Sequence, residues 1–361
     1  MRLQPKYVTR IEELGELSPD ERIKLRTITG HYVFRINNYY RNLIDWDNPT
    51  DAIRRLIIPS ESELQEYGSL DASEEIENYV AKGCQHKYKS TAVLLVSNVC
   101  GAYCRFCFRK RLFRNTDIHE ASLDISEGLE YIREHREIDN VLLTGGDSLM
   151  LSTAKIADIL QQLRRIPHVR IIRMGSKLPA FNPMRIYEDQ ALLARLKQYS
   201  GPESRIYVMS HFNHPRELTS EAYRAIEALQ SSGVVMSNQT PLLRGVNDDP
   251  LVLSELLSKL SYAGVIPYYI FQNRPVAGNY GFVVPLQKAF QVIEEAKAIT
   301  SGLGKRIRFV MSHSTGKIEV LAVEGNNIYL RYHQARDERN VGRFLAMHIT
   351  SDAAWFDDLT N

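Results

Sequence analysis

Cysteine is scarce in this chain, with four in 361 residues, too few for the disulfide framework of a small secreted protein. An excess of charge of one sign is missing too. The 45 lysines and arginines oppose 43 aspartates and glutamates, and a net charge of +2 excludes nucleic-acid or membrane binding by bulk electrostatics. No apolar run approaches the ~20 residues that a membrane-crossing helix needs. The opening stretch, MRLQPKYVTRIEELGEL, lacks the apolar segment of a secretory leader, so a cytoplasmic location is expected. Twenty glycines and 14 prolines are too few for a low-complexity polymer, and no segment repeats. With 44% hydrophobic and 24% charged residues the composition is that of a globular chain, long enough for a large core without staples.

What is present is ordered along the chain. Residues 1–90 are polar, rich in Tyr and Arg, and helical in pattern, with Ser18-Pro19-Asp20-Glu21 as a capped helix start. From residue 91, β-branched runs at 92–96, 141–144, 169–174, 205–210, 234–237, 266–271 and 307–311 alternate with helical stretches at 153–166, 189–199, 220–231, 251–263 and 286–300. Such alternation predicts an α/β fold with parallel strands joined by right-handed crossovers, and seven strands suit a partial or complete barrel. Its active site belongs at the C-terminal ends of the strands. Past Lys317 the pattern is strand-like again, 318–323 and 328–332, around a Glu324-Gly325-Asn326-Asn327 turn. The expected division is a helical region over 1–90, an α/β barrel over 91–311 and a lysine loop with a short β extension over 312–361.

Three of the four cysteines fall within eight residues, Cys100-Gly-Ala-Tyr-Cys104-Arg-Phe-Cys107, directly after the first barrel strand. Clustered thiols of this kind read as a metal or redox site. Three thiolates can hold three irons of a [4Fe–4S] cluster and leave the fourth open to a small ligand. A structural zinc site would call for four ligands, and the nearest imidazoles, His86 and His119, are not at finger spacing. Three core cysteines would not suit so polar and aromatic a loop.

This C-x₃-C-x₂-C spacing, with Phe106 before the third cysteine, resembles the radical S-adenosylmethionine (SAM) superfamily. The resemblance implies that the open iron chelates SAM and that electron transfer cleaves it to methionine and a 5′-deoxyadenosyl radical. Thr144-Gly145-Gly146-Asp147 matches the superfamily's GGE/GGD turn, whose backbone holds the methionine amino group. A narrower likeness spans nearly the whole chain. Tyr39-Tyr40, Lys87-Tyr88, Cys104-Arg-Phe-Cys107-Phe-Arg109, Arg173-Met-Gly175-Ser176-Lys177-Leu-Pro179, His211-Phe-Asn-His214-Pro215, Leu243-Arg-Gly-Val-Asn-Asp248 and Tyr268-Tyr269-Ile270 resemble the lysine 2,3-aminomutase family.

That likeness implies a radical SAM partial (β/α)6-type barrel and an isomerase that moves an amino group between the α and β carbons of an amino acid. Its cofactors would be a [4Fe–4S] cluster on Cys100, Cys104 and Cys107, SAM, and pyridoxal 5′-phosphate (PLP). The SAM contacts would be Gly145, Gly146, Asp147, Ser176 and His211. Lys317 would be the PLP lysine and the catalytic residue, with Lys87 and Tyr88 at the phosphate; Lys keeps the charge of the family's Arg there but not its fork. Arg109 would clamp the substrate carboxylate and Asp248 would meet the side chain. The bland reading of Arg105, Arg109, Lys110, Arg111 and Arg114 is a solvated basic face. The expected partners are an amino-acid substrate and an electron donor of flavodoxin or ferredoxin type, without nucleic acid or membrane.

Two departures bear on specificity. Lysine-specific members hold the substrate ammonium between two aspartates; the second would fall at about Met311, and Arg274 stands where the family often has an acid. Free lysine is therefore not the expected substrate. No cysteine follows Cys107, so the family's intersubunit zinc has no ligands and any homo-oligomer would form without it. Two other readings compete: a radical SAM enzyme on this scaffold with a PLP-independent outcome, and a non-catalytic iron–sulfur sensor. A sensor has no use for Lys317, Arg109 or the Gly145-Gly146-Asp147 turn.

Overall fold

The computed structural model describes residues 5–113 and 124–360. Arg114 and His119 lie outside the described residues. In the N-terminal region, β1 (Tyr7–Val8) pairs antiparallel with β2 (Ile36–Asn37). Helix α1 (Pro19–His31) starts at the expected place, where Ser18 and Glu21 close a reciprocal capping box. α2 (Asn38–Arg41) and α3 (Ala52–Ile57) are short. Among the described residues the segment read as helical thus holds one helix of more than two turns; Pro49 and Pro59 bracket α3 and keep it short. Its end is a hairpin, β3 (Tyr79–Ala81) and β4 (Cys84–Tyr88), that joins the main sheet.

Seven parallel strands follow, joined by six helical crossovers. They are β5 (Thr91–Ser97), α4 (Ser126–Glu134), β6 (Asn140–Gly145), α5 (Thr153–Arg164), β7 (Ile171–Ser176), then α6 (Leu178–Phe181), α7 (Met184–Tyr187) and α8 (Gln190–Tyr199) before β8 (Ile206–Ser210). The run continues through α9 (Ser220–Ser231), β9 (Val235–Leu242), α10 (Pro250–Tyr262), β10 (Ile266–Gln272), α11 (Leu286–Ala298) and β11 (Arg308–His313). The expected strands and helices are all found, with shifted ends. Three antiparallel strands, β12 (Gly316–Glu324), β13 (Asn327–Ala335) and β14 (Phe344–His348), complete a twelve-stranded sheet that runs in order from β3 to β14. No pairing among the described residues joins these two edges, so the sheet is an open α/β barrel segment.

The period of two in each strand sorts the chemistry from the packing. Along β6, Val141 and Leu143 are buried in the core against the helices, whereas Asn140, Leu142 and Thr144 face the cavity inside the curved sheet. In β7, Ile172 and Met174 pack outward while Arg173 and Gly175 face inward. Burial of the outward sets, each side chain contributing roughly 1.5–3 kcal/mol, holds the wall on which the inner residues stand. A second core surrounds α11, β11 and β12, and a third joins the N-terminal region to the cysteine loop through Ala102, Phe106 and Phe181. Cys84 is fully buried against the barrel, and burial pushes its thiol up to about 12, which makes it an inert packing residue. Asp51 is also buried; its carboxylate caps α3 and pairs with Arg216.

Candidate active site

One cavity of about 440 Å³ opens at the C-terminal ends of the parallel strands. Cys100, Cys104 and Cys107 line it, together with Gly145, Gly146, Asp147, Ser176, His211, Lys87, Tyr88, Arg109 and Lys317. These positions span more than 200 residues of sequence, and the barrel topology brings them to one space. Asp248 is the exception.

The cysteine loop leaves β5 at Ser97, and the turn after β6 is welded to its root. Asp147 N donates to Val99 O at 2.9 Å, and Gly146 N donates to Ser97 O. A Cβ on Gly146 would stand 2.5 Å from Val99 O; one on Gly145, whose φ is +113°, would stand 2.4 Å from Ser97 O. Both glycines are therefore required by backbone approach. The three thiols face the cavity from this loop, and burial pushes each of them up, so thiolate ligation would draw on the charge of bound iron. No three His, Cys, Asp or Glu among the described residues converge on a single ion's coordination sphere. A [4Fe–4S] cluster gives each cysteine its own iron, and three thiols spread along one loop fit that donor set, not a closed tetrahedral zinc site.

Among the described residues, the basic side chains around the cysteines form no solvated face. Arg105 makes a two-pronged contact with Glu63, at 2.9 and 2.7 Å, and Lys110 reaches the same carboxylate at 3.1 Å. Arg109 binds Glu75 through Nε at 3.0 Å and Nη2 at 3.2 Å, and donates to Thr144 Oγ1 at 3.0 Å. Arg111 also reaches Glu75, at 3.0 Å. Arg105, Arg109, Lys110 and Arg111 are all buried. Glu63 and Glu75 come from the N-terminal region, of which sequence reading placed only Lys87 and Tyr88 in the site. Glu75 follows Glu74, the one non-glycine with positive φ among the described residues, at +50°. The strain at Glu74 accompanies the carboxylate's insertion among three guanidiniums.

Further round the wall, Asp147 accepts from Leu149 N at 3.0 Å and Lys177 N at 2.8 Å, so its carboxylate ties the β6 turn to the β7 turn. Burial pushes it up to about 6 despite these bonds. Ser176 Oγ accepts from Leu178 N at 3.0 Å. Lys177 Nζ is satisfied by His211 O, Asn213 Oδ1 and Glu217 Oε1 at 2.6–2.7 Å, which holds the His211 loop in place. His211 reaches Gln239 at 2.9 Å, and burial, with Lys177 nearby, brings it down to about 3, so the imidazole is neutral. His214 does not line the cavity; it accepts from Arg216 N and caps a turn.

Lys317 is the second residue of β12, paired with Ser312 of β11 across a tight turn, where sequence reading expected a loop. His313 Nδ1 accepts from Thr315 N at 3.2 Å and closes that turn. Gly316 is needed because a Cβ there would stand 2.3 Å from Gln334 O. Lys317 Nζ lies 4.9 Å from the centre of the Tyr269 ring and 5.7 Å from that of Tyr88. Burial, then Arg173, Arg274 and Lys87, bring it down to about 7. Lys87 Nζ donates to His313 O at 2.6 Å, and the buried Tyr88 hydroxyl has no partner. An amine held partly neutral, an orphaned hydroxyl donor and a nearby ammonium are the groups that PLP requires of its aldehyde and phosphate ends.

Asp248 stands outside the cavity. Its carboxylate accepts from Gly245 N at 2.7 Å and closes the turn that leads into α10. Met311 is fully buried in the second core. Arg173, inside β7, donates to Asn140 Oδ1 at 2.9 Å and faces Lys317. Sequence reading placed it in a family-matched segment but gave it no role; the alternation of β7 was the further signal that it faces inward.

The sequence comparisons agree with this geometry. Residues 94–256 match the Radical SAM superfamily. A protein of Aquifex aeolicus provisionally named an L-lysine 2,3-aminomutase is 50% identical over 98% of this chain and 95% of its own. An L-lysine 2,3-aminomutase of Acetoanaerobium sticklandii is 35% identical over 82% and 71%. A glutamate 2,3-aminomutase of Clostridioides difficile is 35% identical over 82% and 69%. Joined to a cavity that unites the three thiols, the double-glycine turn and a depressed lysine, these similarities establish that the chain belongs to the radical SAM lysine 2,3-aminomutase family, as an aminomutase using a [4Fe–4S] cluster, SAM and PLP.

Proposed function

We propose that this aminomutase moves the amino group between the α and β carbons of an amino acid other than free lysine. The observation that carries the reading is that neither of the two positions where lysine-specific members hold the side-chain ammonium brings a carboxylate into the cavity. Asp248 lies outside the cavity and the second position falls at about Met311. An ammonium brought into such a site would go uncompensated, at a cost on the order of several kcal/mol. The family includes a relative named for glutamate as well as relatives named for lysine, so the scaffold serves side chains of opposite charge.

In this reading Cys100, Cys104 and Cys107 hold the cluster, and the Gly145-Gly146 backbone, Ser176 and His211 hold SAM. Lys317 holds PLP, with Lys87 and Tyr88 at its phosphate. Together these groups supply a 5′-deoxyadenosyl radical and a π-system across which nitrogen can migrate. The chain's part is positional. Arg109, fixed by Glu75 and Thr144, presents its remaining N–H groups to the α-carboxylate. Lys317 Nζ, partly unprotonated at neutral pH, offers a lone pair for covalent attachment. His211, neutral and bonded to Gln239, adds no charge beside a sulfonium. Cluster ligation needs reduced thiols, which supports a cytoplasmic setting with a flavodoxin- or ferredoxin-type donor. Any homo-oligomer would assemble without interface zinc.

The test is anaerobic reconstitution with cluster, SAM and PLP, followed by an amino-acid panel scored for β-amino acids. Lysine should turn over at least about tenfold less efficiently than the preferred substrate. Efficient, saturable conversion of lysine to β-lysine overturns the reading.

A further inference from the structure

Among the described residues two carboxylates line the cavity, and both are committed. Asp147 serves the backbone of the β7 turn, and Glu75 serves Arg109 and Arg111. Glu63 neutralises Arg105 and Lys110 from behind, and Glu217 neutralises Lys177. What remains is a surplus of positive charge: Lys87 bonded to a carbonyl, Arg173 bonded to an amide, Lys317, and Arg274. Arg274 donates to Ser312 Oγ at 3.0 Å and meets Glu75 only at 3.7 Å. A cofactor phosphate would occupy part of this surplus, and PLP held on Lys317 would take up its amine. Arg274 shares its one carboxylate, Glu75, with Arg109 and Arg111, and buried charge so thinly compensated is costly unless the ligand supplies a further partner.

Position singles out Arg274. It lies just past the C-terminal end of β10, at the same end of the barrel as Arg109. The two guanidiniums flank one ring: Arg274 Cζ is 4.0 Å from the centre of Phe108 and Arg109 Cζ is 4.8 Å from it. They also share Glu75. The amide Nδ2 of Asn273, beside Arg274 on the cavity wall, is buried with no acceptor. Two planar forks held against one aromatic ring, with a spare amide donor, form a site for two carboxylates of one small molecule.

We infer that the substrate is a dicarboxylic amino acid, its α-carboxylate on Arg109 and its side-chain carboxylate on Arg274 with Asn273. The inference rests on the non-lysine aminomutase reading above and gives that reading a substrate class. Arg274 is then a specificity residue, and its replacement separates substrate recognition from cofactor binding.

The experiment uses the reconstituted holoenzyme with L-glutamate, L-aspartate, L-glutamine and L-lysine. An acidic amino acid should have the lowest KM. Arg274→Gln should raise that KM by about tenfold or more, as loss of a charge-assisted pair does, with a smaller change in kcat. Arg274→Lys should recover part of the loss, and the PLP dissociation constant, read from cofactor absorbance, should shift less than about twofold. A weakened PLP affinity with unchanged substrate preference would make Arg274 a phosphate ligand and overturn the inference. Preference for glutamine overturns this inference alone, whereas preference for lysine overturns it together with the reading beneath it.

Discussion

The Lys317 amine shares its wall with Arg173, Arg274 and Lys87, and burial first and those charges second bring its pKa down to about 7. Only the neutral amine attacks an aldehyde. Capture of PLP by the cofactor-free protein should therefore speed up as pH rises through about 7 and level off above it, where an ordinary lysine would keep gaining to about 10.4. Borohydride-reducible absorbance against pH measures this, and a midpoint above 9 would show that the surrounding cations do not act as described. Lys317→Ala should lose that absorbance and aminomutation while cluster absorption stays. Labelling of a different lysine would move the PLP site elsewhere.

At the scale of the element, the β6 turn and the cysteine loop are one unit, because the turn's backbone hydrogen bonds end on Ser97 and Val99. The steric case is sharpest at Gly146. A methyl there would meet the oxygen, nitrogen and carbon of Val99 within 2.5–2.9 Å, all backbone atoms that cannot rotate away. Gly146→Ala should lower stability by about 1–3 kcal/mol, as overpacking does, and displace the first cysteine with it. Urea unfolding gives the first quantity, and 5′-deoxyadenosine formation, expected to be lost, reports the second. Wild-type levels of both would mean that the turn can part from the loop at no cost.

Across the whole molecule, the N-terminal region supplies acids to a barrel that has few at its mouth. Burial alone would raise the pKa of Glu63, but Arg105 and Lys110 outweigh it and hold the carboxylate below its ordinary value. A depressed carboxylate stabilises the fold above its unfolded pKa of about 4.3, and that contribution disappears as pH falls through the folded value. The tie between the two regions should thus weaken on acidification below the ordinary carboxylate range. Glu63→Gln should remove it at every pH, at about 3–5 kcal/mol, because two buried cations lose their partner. Thermal unfolding of the variant at neutral pH checks this; a melting temperature equal to that of the wild type would show that the pair is replaceable by solvent.

The sequence by itself determined the features that depend on neighbours in the chain. Thiol spacing singled out the three cysteines proposed to hold the cluster. The β-branched runs marked the parallel strands, and Ser18-Pro19 marked the start of α1. The strand–helix rhythm predicted parallel strands with helical crossovers and hence a site at the strand ends. Only the tertiary structure decided which charges meet. Glu75 sits 34 residues from Arg109 and is inserted beneath it by a strained backbone at Glu74. Asp248 is spent on its own turn, and Arg274 meets Arg109 across Phe108 although 165 residues separate them. Local patterns are written in torsions and periodicities that a short window contains. Charge compensation in a low-dielectric cavity depends instead on distances that the folded sheet alone sets.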